Sequence, residues 1–163
     1  MKLAHAAILL AILPLFATNG GFDDQYYYRL TNWFLGNAWS LDSTASDKFV
    51  PIMAPTSNSA GQYWKFTRVG GCYRLSNVLL GPGYALDNYP TGSHPPFMAV
   101  AGNASGQCWH FTPEHDGYLR LTNDYLGNSH SLDTYSDREH APFMAETGTA
   151  TGQYWKLTRR TRP

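Results

Sequence analysis

Asp42, Asp87 and Asp133 are the residues of this chain best placed for chemistry, because they recur 45 and then 46 positions apart. A carboxylate at a repeated position can serve as a general acid or base, as a metal ligand, or as an acceptor of hydrogen bonds from neutral hydroxyls; its neighbours decide which. Catalysis would need a partner. No Gly-x-Ser-x-Gly elbow or comparable nucleophile setting occurs, and the paired carboxylates Asp23-Asp24 precede the first predicted strand, in what reads as a flexible leader. Of the 6 histidines, His94 and His140 are repeat-equivalent, but no two histidines sit at ligand spacing with a carboxylate. The chain is therefore expected to be no enzyme, with no metal and no cofactor.

The elements that must position these aspartates repeat with them. Gly61-Gln62-Tyr63-Trp64, Gly106-Gln107-Cys108-Trp109 and Gly152-Gln153-Tyr154-Trp155 hold tryptophans 45 and 46 residues apart, and Arg29, Arg74 and Arg120 keep the same intervals. Arginine to aspartate is 13 residues in every copy and aspartate to tryptophan is 22. Copies of this length are too short to bury a core alone, so three of them predict a closed three-fold array. Each copy opens on an alternating run (Tyr28 to Asn32, Tyr73 to Asn77, Leu119 to Asn123) that predicts a strand with Leu30, Leu75 and Leu121 inward. A Leu-Gly turn leads to a second strand carrying Leu41-Asp42, Leu86-Asp87 and Leu132-Asp133, leucine inward and aspartate outward. A third strand holds Ile52-Met53-Ala54, Phe97-Met98-Ala99 and Phe143-Met144-Ala145, and a fourth starts at the tryptophan, which points inward. Twelve short strands in three wedges would close a small barrel and leave no edge unpaired.

The first residues read differently. Lys2, the apolar run Ala6 to Phe16 and the small residues Ala17, Thr18 and Gly20 form the pattern of a secretory signal peptide, with cleavage near Ala17. The expected organisation is a signal peptide over 1–17, a leader over 18–25 and one domain over 26–163, with repeats 26–70, 71–116 and 117–163. No second apolar segment is present, so a secreted, soluble protein with no membrane span is expected, as a monomer. The formal net charge is +0 and no basic cluster stands out, which argues against a nucleic-acid partner; the tail Arg159-Arg160-Thr161-Arg162 reads as a solvated end. Arg29, Arg74 and Arg120 read as covering the barrel exterior and pairing with carboxylates, not as an anion site. Asn103-Ala104-Ser105 is an N-glycosylation acceptor.

The two cysteines test the register. Cys72 and Cys108 occupy repeat-equivalent positions whose counterparts are Tyr27 and Tyr63 in the first copy and Tyr118 and Tyr154 in the third. A Tyr–Tyr pair replaced by Cys–Cys implies that the two positions touch across neighbouring strands, on the outward face by parity. In an exported chain this predicts a Cys72–Cys108 disulfide, contributing about 3–4 kcal/mol in the chain-entropy model.

Three Gln-x-Trp motifs in register with three Leu-Asp pairs resemble the ricin-B-type β-trefoil lectin domain, and the pattern YRLTN…LG…SLD…PFMA…TGQYWKLT is similar to free-standing secreted ricin-B-like proteins. The resemblance covers residues 26 to 159. It implies an all-β β-trefoil of twelve strands in three pseudo-symmetric repeats of about 45 residues, and one shallow sugar pocket per repeat. In such a pocket the second-strand aspartate accepts hydrogen bonds from two hydroxyls, a third-strand aromatic stacks on the sugar, and an asparagine before the glutamine completes the grip. Here the aspartates are kept as Asp42, Asp87 and Asp133. The stacking position is Ala54, Ala99 and Ala145, and the asparagine position is Gly61, Gly106 and Gly152.

Replacement aromatics lie nearby on the same strand faces: Tyr89 and Tyr135 two residues past the aspartates, Phe97 and Phe143 two before the alanines. The expected carbohydrate-binding residues are therefore Asp87, Tyr89, Phe97 and Gln107 in the second repeat and Asp133, Tyr135, Phe143 and Gln153 in the third. Asp42, with Thr44 and Ile52, makes a poorer set in the first. The expected partners are glycans or glycoproteins. The alternative is a protein-binding trefoil, a secreted inhibitor or effector, contacting its target through Ser43 to Val50, Asn88 to Pro96 and Thr134 to Ala141.

Overall fold

The computed structural model describes residues 21–43, 49–88, 96–134 and 141–162. The expected signal peptide and its cleavage point lie outside the described residues, as do Thr44, Tyr89, His94, Tyr135 and His140. Twelve strands follow in order: β1 Tyr27–Asn32, β2 Gly36–Ser43, β3 Pro51–Pro55, β4 Trp64–Val69, β5 Cys72–Asn77, β6 Tyr84–Asp87, β7 Phe97–Val100, β8 Trp109–Pro113, β9 Leu119–Asn123, β10 His130–Asp133, β11 Phe143–Glu146 and β12 Trp155–Arg160. β1, β4, β5, β8, β9 and β12 pair in a ring, β12 returning to β1, so the barrel closes on itself. The remaining strands form three hairpins, β2–β3, β6–β7 and β10–β11. This is the closed three-fold array expected from the repeats, and it is the β-trefoil that the resemblance implies.

Local chemistry explains why each copy turns where it does. Gly36, Gly81 and Gly127 follow the first strand of each copy with φ of 71, 73 and 65°, a left-handed conformation that a side chain would strain. The asparagine ending the preceding strand closes the same turn: Asn32, Asn77 and Asn123 accept through Oδ1 from the backbone N–H of Leu35, Leu80 and Leu126. Four equivalent residue sets then fill the interior. Leu30, Leu75 and Leu121, Leu41, Leu86 and Leu132, Met53, Met98 and Met144, and Trp64, Trp109 and Trp155 are all buried in one cluster. Each contributes roughly 1.5–3 kcal/mol over its exposed state.

The cysteine pair is bonded as expected. Cys72 and Cys108 form a disulfide with Cα atoms 5.3 Å apart, and Tyr27 and Tyr63 lie edge to face at the equivalent place, 6.4 Å between centroids. The outward placement holds for half of each pair only, since Tyr63, Cys72 and Tyr154 are buried.

Both ends of the chain depart from expectation. Residues 21–25, read as part of a flexible leader, are docked on the barrel. Phe22 is buried, packing its ring edge-on against Tyr28, Phe66, Tyr73 and Phe111 at centroid distances of 4.6–5.3 Å, so one side chain touches β1, β4, β5 and β8 at once. The Phe22 N–H donates to Tyr73 Oη and the Asp23 N–H to Tyr28 Oη, which gives two core tyrosine hydroxyls a partner. At the other end, Arg159 and Arg160 belong to β12, opposite Tyr28 and Tyr27, although Arg159, Thr161 and Arg162 are exposed as expected of a solvated end.

Phe22→Ala should lower unfolding free energy by about 3 kcal/mol, the usual cost of emptying an aromatic site. Chemical denaturation measures it, and a loss below about 1 kcal/mol would show that the leader packs without supporting the barrel.

Candidate functional site

The three aspartates and the three Gln-x-Trp glutamines form one node, built three times. Asp42, Asp87 and Asp133 end or nearly end the second strand of each copy, where Oδ1 accepts from the following backbone N–H, of Ser43, Asn88 and Thr134, at 2.7–2.8 Å. Oδ2 accepts from Gln62, Gln107 or Gln153 Nε2 at 3.0–3.1 Å. The second amide hydrogen of each glutamine goes to the carbonyl of Pro55, Val100 or Glu146, and each Oε1 accepts from the N–H of Ser57, Gly102 or Gly148. Two residues on, each tryptophan donates Nε1–H to the carbonyl of Leu41, Leu86 or Leu132, the residue just before the aspartate. The glutamine amides are therefore saturated and buried.

The aspartates are covered as well. Expected to face outward, they retain only 6, 8 and 5% of their accessible surface. The covering group is the glycine at the asparagine position. A Cβ built on Gly61 would stand 2.0 Å from Asp42 Oδ1 and 2.3 Å from the Ser43 carbonyl oxygen; on Gly152, 2.0 Å from Asp133 Oδ1 and 2.2 Å from the Thr134 carbonyl oxygen; on Gly106, 2.1 Å from Asp87 Oδ1. Real side chains do not approach that closely, so the node requires glycine there.

On the same face as the aspartates, the hairpin register pairs Asp87 directly with Phe97 and Asp133 with Phe143; the first copy pairs Asp42 with Ile52. Phe97, Phe143, Ala99 and Ala145 are half-buried, while the intervening Met98 and Met144 point into the core. The structure thus brings Asp87, Phe97 and Gln107 together, and likewise Asp133, Phe143 and Gln153. Tyr89 and Tyr135 lie outside the described residues. At Asp133, burial pushes the carboxyl above the ordinary aspartate value, against the hydrogen bonds from Gln153 and Thr134 and the charge of Arg120.

Features unclaimed by the sequence reading surround the barrel flank. Arg120 pairs with the Glu114 carboxylate at 2.7 Å, as expected of the repeated arginines, but Arg29 and Arg74 donate to the carbonyl oxygens of Ser57 and Gly102. Trp33, 41% exposed, stacks on Tyr118 at 5.2 Å and meets His115 and Tyr154. Phe34, Leu79 and Tyr125 are repeat-equivalent and exposed on the turns after β1, β5 and β9. Their signal in the sequence was an apolar residue just before the turn leucine in every copy. Cys72, Cys108 and Asp124 lie close enough together to suggest metal ligation, but both sulfurs are spent in the disulfide and offer no thiolate.

No family model and no curated protein sequence matches the chain. Among solved structures it is similar to a designed three-fold symmetric protein, ThreeFoil, at 23% identity over 80% of this chain and 96% of that one, TM-score 0.69. It is similar to an exo-beta-1,3-galactanase from Clostridium thermocellum at 23% identity, TM-score 0.71, over 82% of this chain but only 30% of the galactanase. It is also similar to the Macrolepiota procera ricin B-like lectin solved in complex with lactose, at 19% identity over 86% of this chain and 98% of the lectin, TM-score 0.67. Likeness at this level is likeness of fold, and the fold is the β-trefoil.

Two outcomes follow from the node. Gly152→Asn, which restores the residue usual at that position in the resembled lectins, should destabilise by about 2–3 kcal/mol through overpacking; unchanged stability by denaturation would mean that the glycine is not required. For Asp133 the folded-state value is raised, so the native state binds the proton more tightly than the unfolded chain. Its contribution is present at and below the ordinary aspartate range and is lost as pH rises through the raised value. The stability of wild type relative to Asp133→Asn should therefore increase as pH falls from neutrality toward that range, and a difference that is flat or falls with acid contradicts the assignment.

Proposed function

We propose that the chain is a secreted carbohydrate-binding β-trefoil with shallow, non-standard glycan pockets over the β6–β7 and β10–β11 hairpins of the second and third repeats. The observation that carries this reading is the direct cross-strand pairing of the buried Asp87 with the half-buried Phe97 and of the buried Asp133 with the half-buried Phe143. An aromatic ring beside a carboxylate is the pair a hexose needs: the ring covers C–H groups and the carboxylate accepts from hydroxyls. Each aspartate oxygen already holds one hydrogen bond inside the node, so a sugar hydroxyl would have to take its second lone pair. Tyr89 and Tyr135 would complete the walls. The first repeat, with Ile52 opposite Asp42, is the poorest of the three.

Pockets this shallow bind weakly one at a time, so the protein would act on clustered glycans or through both sites together. Export agrees with the apolar N-terminal run and with the Cys72–Cys108 disulfide, which persists in oxidising surroundings. The fold likeness to a lectin solved with lactose adds support. A second reading, a protein-binding trefoil that has lost sugar binding, draws on a specific observation too: every aspartate and glutamine of the node is engaged internally.

The pockets are tested by the aromatics, because removing an aspartate also dismantles the node. On a glycan array, Phe97→Ala and Phe143→Ala should each lower the signal about tenfold, and the double variant should abolish it, with little change in melting temperature. Full signal in the double variant rules out these pockets. A blank wild-type array with a protein retained in pull-downs from secreted mixtures establishes the second reading.

A further inference from the structure

Five residues past each Gln-x-Trp tryptophan, the three copies carry Val69, Glu114 and Arg160, and each stands beside the repeated arginine of the strand that pairs there. Glu114 neutralises Arg120, with Arg120 Nε donating to Glu114 Oε1 at 2.7 Å. Arg160 occupies the corresponding place beside Arg29, so one flank of the barrel sets two guanidiniums together where another has an ion pair. Arg160 is held in position: Nη2 donates to Asn58 Oδ1 at 3.0 Å, and the guanidinium lies 5.7 Å from the ring centre of buried Tyr63, whose hydroxyl also meets Asn58 at 3.2 Å. Lys65 Nζ stands 5.3 Å over Tyr27, the residue paired with Arg160 across β1 and β12.

Beside them opens a crevice of about 310 Å³ lined by Tyr27, Lys65, Thr67, Ser76, Asn77 and Arg162, of the size of a small-molecule site. Lys65 and Arg162 line this crevice, and Arg160 and Arg29 lie on the adjoining strands β12 and β1, four cations in all. Among the described residues the only ion pairs are His110–Asp124 and Arg120–Glu114, so none of the four has a carboxylate partner. Arg29 Nε, like Arg74 Nε, is buried without an acceptor. The Arg29 guanidinium is held below its usual value by burial first and by Arg160 second, an arrangement that costs free energy unless an anion relieves it.

We propose that this flank, between β1, β4 and β12, binds the anionic group of an acidic saccharide, a sulfate or a carboxylate. It uses none of the residues of the hairpin pockets and stands or falls apart from them. The anion would sit against Lys65 and Arg162, with Arg160 reaching toward it from beside Tyr27, and guanidinium forks give short, charge-assisted hydrogen bonds. Thr67 and Ser76 supply the neutral donors and acceptors that sugar hydroxyls require, and the half-buried Tyr27 ring supplies an apolar edge. A nucleic acid is the less fitting occupant. The chain as a whole carries no net charge.

The experiment is isothermal titration of the purified chain with a heparin hexasaccharide (sulfate), an oligogalacturonate (carboxylate), a neutral chito-oligosaccharide and an oligonucleotide of matched charge. At least one acidic saccharide should bind, with affinity falling as salt is raised, and the other three probes show whether sulfate or carboxylate is preferred and whether charge alone suffices. Arg160→Glu installs on this flank the carboxylate that Glu114 gives Arg120, so it should fold normally and weaken binding about tenfold or more. Lys65→Ala should weaken it as well. Arg68→Ala, Phe97→Ala and Phe143→Ala should leave it unchanged. Absence of wild-type binding to both acidic saccharides, wild-type affinity in a folded Arg160→Glu variant, or equal binding of the oligonucleotide overturns the proposal.

Discussion

The hydrogen bond from the glutamine carboxamide to the aspartate carboxylate is the contact on which the rest of this fold depends. It joins the end of the second strand of each repeat to the turn before the fourth, two segments that no strand pairing connects. The glutamine's other hydrogen and its oxygen clamp the chain leaving the third strand, and the tryptophan two residues later drops its indole into the core while donating back to the carbonyl before the aspartate. One side chain thus fixes the relative placement of three strands, and the tryptophan behind it turns that placement into burial. Charge-assisted and shielded from water, such a bond is worth more than a surface contact and costs more when broken. Its threefold repetition is what makes 45-residue units add up to one barrel.

Away from the node, the copies diverge, and they do so at equivalent places. The position pair occupied by Tyr27 and Tyr63 in one repeat is a disulfide in the next, and Tyr118 and Tyr154 in the third gather Trp33 and His115 about them. The neighbouring position holds Arg160, Val69 or Glu114, giving a cationic flank, an apolar one and a neutralised one. The frame imposes no requirement on these residues beyond fitting the outside of the barrel, which leaves them able to differ. Three-fold symmetry in the interior therefore coexists with three chemically distinct flanks, and a ligand recognised by one has no counterpart on the others.

The sequence carried the fold because periodicity is a property of spacing. Arginine, aspartate and tryptophan at fixed intervals placed every strand, and the Tyr-to-Cys exchange marked a contact pair before any coordinates were needed. The burial of the aspartates was less legible: alternation put Asp87 and Asp133 on the outward face, and it is the backbone of Gly106 and Gly152, brought in on the helical turn before the fourth strand, that covers them. Strand parity reports direction and not what arrives from elsewhere. Phe22 escaped for a related reason, since a lone apolar residue ahead of the first repeat has no period to reveal it, and its value lies in meeting side chains from four strands. Arg160 read as part of a basic tail because charge runs near a chain end look solvated, whereas its β pairing with Tyr27 commits it to a flank.

The glycine before each glutamine shows where recognition can and cannot reside in such a molecule. In the lectins that the motif resembles, that position contributes a side chain to the sugar; here its Cα lies so close to the carboxylate that no side chain fits, and the aspartate is drawn into the frame. The carboxylate is nearly removed from solvent and its first hydrogen bonds are all internal. A ligand at the hairpins must then rely on what projects beyond the node, the phenylalanines paired with the aspartates, and must take only the spare lone pairs of the carboxylates themselves. A group committed to holding three strands together cannot move to fit a ligand. Any recognition on this barrel would for that reason be driven outward, to residues whose loss the frame would survive.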